Sequence, residues 1–206
     1  MESDRPTTQA SVSAVAQPVP GLPSTRYMEL VRKSPRALER MIVRGETPSV
    51  SSLCGYEYSG YNIAPATSLL GIRKFVKAFF TTPGGVVYGC NTPAVQNGLS
   101  GRWIALPREA APRRYAFFSV APVDPEAREN TYLHALLLDY GRGGNPRYDP
   151  SRLLRDYLVR CVNGSDDLLL GKAYFAIGPL RLPASFFLLE RRGTVPDRIV
   201  LPRLKR

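Results

Sequence analysis

The sequence predicts a mainly β domain: an antiparallel, closed or nearly closed barrel with short N-terminal helices and a disordered N-terminal tail. Three observations carry this. Nineteen prolines and seventeen glycines in 206 residues cut the chain into short elements, as a sheet with many turns requires. Beyond Pro48, aromatic and β-branched runs alternate with Gly, Pro and Asn clusters in the manner of strands and hairpins. The last such run is apolar at both parities, so both faces of its sheet need cover.

Residues 1–24 hold Ser, Thr and Pro with few large apolar side chains, too little to offset the entropy of ordering, and are expected to be a disordered tail. In 25–47, Tyr27, Leu30, Val31, Leu38, Met41 and Ile42 recur at helical spacing, broken at Ser34-Pro35. Two short helices meeting at Pro35 follow, serving as a lid or a packing segment. The barrel domain is expected over 48–206. Its strands are predicted at 55–61, 72–80, 86–91, 103–105, 115–120, 132–140, 156–162, 168–177 and 182–191, with a helical turn or two over 64–71. Asp149-Pro150-Ser151 is a helix start, so a short helix is expected before the strand at 156. Asn163-Gly164-Ser165-Asp166 reads as a hairpin turn, and the last two strands should turn at Gly178-Pro179. Alternation then points Leu182, Ala184, Phe186 and Leu188 one way and Phe187 and Leu189 the other.

A net charge of +11 raises the question of an anionic partner, but the basic residues are scattered, which argues against nucleic acid. Cys54, Cys90 and Cys161 are odd in number and lack C-x-x-C spacing, so neither a disulfide framework nor a zinc ribbon is expected, and a reducing cytoplasm fits best. With no apolar leader and no run approaching the ~18 apolar residues of a membrane span, membrane insertion is not expected.

Gly55-Tyr56-Glu57-Tyr58-Ser59-Gly60, opening the first strand, resembles the Gly-x-Trp start of calycin barrels such as lipocalins, with Tyr in place of Trp. Phe186-Phe187-Leu188-Leu189-Glu190-Arg191 resembles the sealing strand of those barrels. That resemblance implies an arginine packed over the first-strand aromatic, a cation–π plug worth ~1 kcal/mol. Asp167-Leu168-Leu169-Leu170-Gly171-Lys172 and the ending after Phe186 also resemble bacterial proteins named for a GXWXG motif. Both likenesses imply an apolar small molecule bound inside the barrel.

His134 is the sole histidine, so any histidine acid–base step must use it; it is the candidate catalytic residue, set against a hydrogen-bonded core or surface histidine. The candidate ligand-binding residues are Tyr58, Tyr61, Tyr88, Asn91, Phe118, Tyr132, Tyr174 and Phe186: aromatic walls with hydroxyl tips and one amide for a carbonyl. The alternative is the ordinary preference of strands for aromatics. No His and carboxylate cluster suggests a metal, Gly141-Arg142-Gly143-Gly144-Asn145 lacks the ending of a phosphate loop and reads as a flexible loop, and no cofactor is expected. The sequence therefore points to a barrel holding an apolar or aromatic small molecule. Its rivals are a cofactor-free cyclase or isomerase of secondary metabolism in the same pocket, and a basic module for anionic membrane or nucleic acid; a homodimer would be a further way to cover the outer face.

Overall fold

The computed structural model describes residues 21–63, 72–195 and 199–202. The predicted turn at 64–71 and all but the last four residues of the predicted tail lie outside them. Eight antiparallel strands close into a barrel in sequence order: β1 (Tyr56–Asn62), β2 (Lys74–Thr81), β3 (Val87–Pro93), β4 (Tyr115–Pro122), β5 (Leu136–Asp139), β6 (Leu154–Val162), β7 (Ser165–Ile177) and β8 (Leu180–Thr194). The barrel closes where β1 pairs with β8, from Tyr56 opposite Thr194 to Asn62 opposite Phe187. Closure leaves no free edge to template association. The two predicted turns are present, β6 to β7 through Gly164 at φ +73° and β7 to β8 through Gly178 at φ +54°, a backbone region that glycine enters without a Cβ clash.

Three helices precede β1: α1 (Thr25–Val31), α2 (Pro35–Arg44) and α3 (Val50–Leu53). Ser24 and Ser34 cap α1 and α2 by accepting hydrogen bonds from the amides of Tyr27 and Ala37, and Pro35 opens α2 where its missing N–H costs nothing. Tyr27, Leu30, Leu38 and Ile42 pack on the outer face of the barrel with Val159, Leu170 and Leu188. A second cover, from Val195, Ile199 and Leu201, lies over Ala78, Phe80 and Phe117. The helices thus cover the outer face of the doubly apolar last strand at Phe186 and Leu188.

Inside, Tyr58, Phe79, Phe118, Leu136, Leu158 and Leu189 fill one end, which Leu53 of α3 plugs. Arg191 seals that end: its guanidinium carbon lies 4.1 Å from the centre of the Tyr56 ring and 5.6 Å from that of Tyr58.

Some expected elements differ. The strand at 103–105 is only an isolated bridge between Ala94 and Ala105. Trp103 instead buries its ring outside, edge-on to Tyr27, and donates Nε1–H to the Gly60 carbonyl at 2.9 Å. The strand at 132–140 shortens to Leu136–Asp139, because 132–135 form a turn closed by the Ala135 amide on the Tyr132 carbonyl. The helix at 150 is one 3-10 turn, Pro150–Leu153, after which β6 starts at once. In β8 the register shifts opposite Ala173 and Tyr174. This bulge re-aims the side chains before it, so Ala184 faces inward with Phe187 while Phe186 and Leu188 face outward. The loop after Tyr140, expected to be flexible, docks on β4, where Asn145 accepts from the Phe117 amide and donates to the Phe117 carbonyl.

Candidate functional site

The end of the barrel opposite Leu53 is not filled. Three glycines let phenyl rings lie flat inside the barrel. Gly60 faces Phe75, Gly89 faces Phe118 and Gly171 faces Phe187 across adjacent strands. A Cβ at any of these glycines would come within 2.3 Å of the facing ring, so each phenyl lies down over the glycine of its neighbour strand. Phe75 and Phe187 wall a cavity of about 290 Å³ that draws lining residues from seven of the eight strands. Its apolar wall continues through Ala116, Ala173 and Ala184, and Asn62 and Ser185, which meet at 3.4 Å, also line it.

The cavity ends on four polar side chains. Lys77 of β2 is 2% exposed and projects between Phe75 and Phe79, following the period-two alternation of the strand. Its Nζ donates to the Tyr140 hydroxyl at 2.7 Å and to Asp156 Oδ2 at 3.2 Å. The Tyr140 hydroxyl in turn donates to Asp156 Oδ2 at 2.8 Å. Asn91, directly opposite Lys77 on β3, places Nδ2 at 3.2 Å from the same hydroxyl and 3.4 Å from the Ala116 carbonyl. That carbonyl fixes the amide orientation, and Asn91 Oδ1 remains a buried acceptor with no partner. Ala116 itself sits at φ +46°, in a bulge where β4 loses register with β3. A non-glycine residue there is strained, and such strain concentrates at sites that have a use for it.

Electrostatics sharpen the arrangement. Burial pushes the Lys77 amine below its usual range, against the opposing pull of Asp156. Burial, reinforced by the Asp156 charge, pushes the Tyr140 phenol well up, so it remains a proton donor. The ammonium also faces π-surfaces, with ring centres of Phe118 at 4.5 Å and Phe187 at 5.2 Å. The cluster pairs one buried cation with one buried anion and keeps one acceptor unmatched.

A scan of protein-family models, a search of curated proteins and a search of solved structures return no significant match for this chain. The closed eight-strand antiparallel barrel is compatible with a calycin-like architecture.

Of the residues selected from sequence, Asn91 lines the cavity, and Phe118 lies in the interior against Lys77 and Tyr140. Tyr58 is interior too, but at the sealed end, donating to the Asp166 carbonyl. Tyr61, Tyr132, Tyr174 and Phe186 belong to the outer layer beneath the helices, and Tyr88 packs beside the C-terminal cover. Tyr132 donates to Glu39 Oε1 at 2.6 Å and meets Tyr174 at 3.1 Å, with Lys172 donating to both Glu39 and Tyr132. This network fastens α2 to β7. His134 occupies the turn before β5, and its Nε2–H meets the Ile42 carbonyl at the end of α2 at 2.8 Å; it is not a cavity residue.

Lys77, Tyr140 and Asp156 escaped the sequence reading. One signal was present: Phe75-Val76-Lys77-Ala78-Phe79 sets a lysine at the same parity as the two phenylalanines that flank it. Among the described residues no group of His, Cys, Asp and Glu could hold a metal. No described helix is long and apolar enough to cross a membrane.

Proposed function

We propose that this barrel binds a small apolar or aromatic molecule in its open end, with Lys77, Tyr140 and Asn91 meeting the polar group of that molecule. The observation that carries the reading is a cavity with apolar walls ending on a buried polar cluster with an unmatched acceptor. Ligand pockets combine apolar walls with a few convergent polar groups in this way, and about 290 Å³ lies near the lower limit of the usual ~300–1,000 Å³ range, which suits a compact ligand of one or two rings. Asn91 Oδ1 calls for a ligand that brings a hydroxyl or N–H donor.

The experiment is a thermal-shift and native mass-spectrometry screen with compact terpenoids, aromatic polyketide fragments and fatty acids, run beside Ala184→Phe, which fills the cavity. Binding by the parent chain and not by Ala184→Phe supports the reading. If no compound of any class shifts the parent, the reading fails. A second reading, a cofactor-free cyclase or isomerase in the same cavity, is favoured by the Lys77, Tyr140 and Asp156 relay, because these groups can move protons; turnover abolished by Lys77→Met would mark it. A basic docking module has less support: in the charged cleft beside β5, Arg155 is engaged by Glu129 and Asp139, and Arg142 by Asp139.

A further inference from the structure

We propose that Lys77 captures carbonyl compounds covalently, condensing with an apolar aldehyde or ketone in the barrel to form an imine. The inference rests on the reading that the cavity admits an apolar small molecule, and it adds the chemical class. Three observations converge. First, the basic residues of the chain are twenty-three arginines and only five lysines, Lys33, Lys74, Lys77, Lys172 and Lys205, and the cavity holds a lysine. Arginine would pair with Asp156 at least as well but cannot lose its proton, whereas a desolvated lysine amine can. Second, the amine lines the cavity together with the two groups its chemistry needs, Tyr140 and Asp156, joined in one hydrogen-bonded triangle. Third, Asn91 Oδ1, on the residue that faces Lys77 across the β2 and β3 pair, is a buried acceptor without a donor.

The steps balance. The Lys77 ammonium passes a proton to Asp156, directly or through the Tyr140 hydroxyl that bonds to both. With both side chains buried, conversion of the ion pair to a neutral pair is assisted by the desolvation that already disfavours the ammonium. The free amine attacks the carbonyl carbon, a C–N bond forms, and one amine proton moves to the former carbonyl oxygen. The resulting carbinolamine hydroxyl is the donor that Asn91 Oδ1 lacks. Asp156 then returns its proton to that hydroxyl, the C–O bond breaks, water leaves, and the iminium cation remains beside the Asp156 carboxylate. The carbonyl compound and the amine are the only reactants, and water is the only product released.

The test uses the full chain with trans-cinnamaldehyde and sodium cyanoborohydride, followed by peptide mapping, with cinnamyl alcohol as a matched ligand that cannot form an imine. The expected result is a mass gain on the Lys77 peptide equal to the aldehyde less one oxygen, acquired faster than on exposed Lys33. Cinnamyl alcohol should suppress labelling at Lys77 and leave Lys33 unchanged. Lys77→Arg, which keeps the charge, should reduce total labelling to the level of the remaining lysines; its fold is checked by circular dichroism. If cinnamyl alcohol binds by calorimetry while the aldehyde leaves Lys77 unmodified, imine formation is refuted and the binding reading stands. If neither compound binds or reacts beyond surface lysines, both readings fall for this ligand class.

Discussion

Replacing Lys77 and Asp156 singly and together separates the stability of the site from its use. The two side chains are 2% and 4% exposed with Nζ and Oδ2 3.2 Å apart. At an effective dielectric of ~20 their attraction is roughly 5 kcal/mol, but removing two ions from water costs several kcal/mol each, so the pair as a whole adds little or nothing to stability. Breaking it is another matter. Lys77→Met leaves the Asp156 carboxylate buried with Tyr140 as its remaining donor, and Asp156→Leu leaves an ammonium among phenyl rings; each should cost about 3–5 kcal/mol. The double variant Lys77→Met with Asp156→Leu removes both charges and should be neutral or more stable than the parent by up to ~4 kcal/mol. Urea unfolding reads all four proteins, with an unchanged m-value confirming that the same surface is exposed. Ligand capture should vanish in the double variant despite its stability. If the double variant loses as much as the two single losses added together, the side chains are uncoupled and the account of the site as a buried ion pair is wrong.

Three further outcomes follow from the same structure. Gly89→Ala places a Cβ 2.3 Å from the Phe118 ring and should cost about 1–3 kcal/mol through overpacking, read as a lowered midpoint in urea, with weaker ligand binding because that ring faces Lys77. Asn145→Ala strips both backbone partners from Phe117 and should cost about 1–3 kcal/mol, and because Asn145 also bonds the Tyr140 carbonyl it should raise the ligand dissociation constant, whereas a merely structural loss would lower stability alone. Burial under Trp103 and the 97–101 loop pushes Lys74 down to about 8 from its usual 10.5. The unfolded chain therefore binds that proton more tightly, and stability should rise with pH from about 8 towards 10. Burial raises the phenols of Tyr27 and Tyr140, so the unfolded chain loses their protons first and stability should fall above about pH 10. Thermal melts across this range test both limbs, and Lys74→Met should flatten the rising one.

Much of the barrel was legible because strand signals are local. Turn residues such as Gly164 and Gly178 and the period-two runs between them set strand positions to within a few residues, and Ser34-Pro35 set the start of α2. The doubly apolar ending at 182–191 correctly demanded two covered faces, since apolar area exposed on either side would be costly. What covers them was not local: α1 and α2 lie over the outer face at Phe186 and Leu188, and the barrel interior takes up Phe187 and Leu189. The site was harder still. Tyrosines are common in strands and mark walls on either side of a sheet, and the bulges opposite Gly89 and Ala173 move residues between inside and outside without any strong sign in composition.

By itself the sequence determined the class of fold, the approximate positions of most strands and the need for cover on both faces, because alternation and turn chemistry act over a few residues. Only the tertiary structure decided which end of the barrel is plugged by Leu53 and Arg191 and which remains open. It alone brought Lys77, Asn91, Tyr140 and Asp156, from β2, β3, the turn after β5 and β6, to one point. Barrel closure and strand register set those distances, and both are properties of the whole sheet that no short stretch of chain contains.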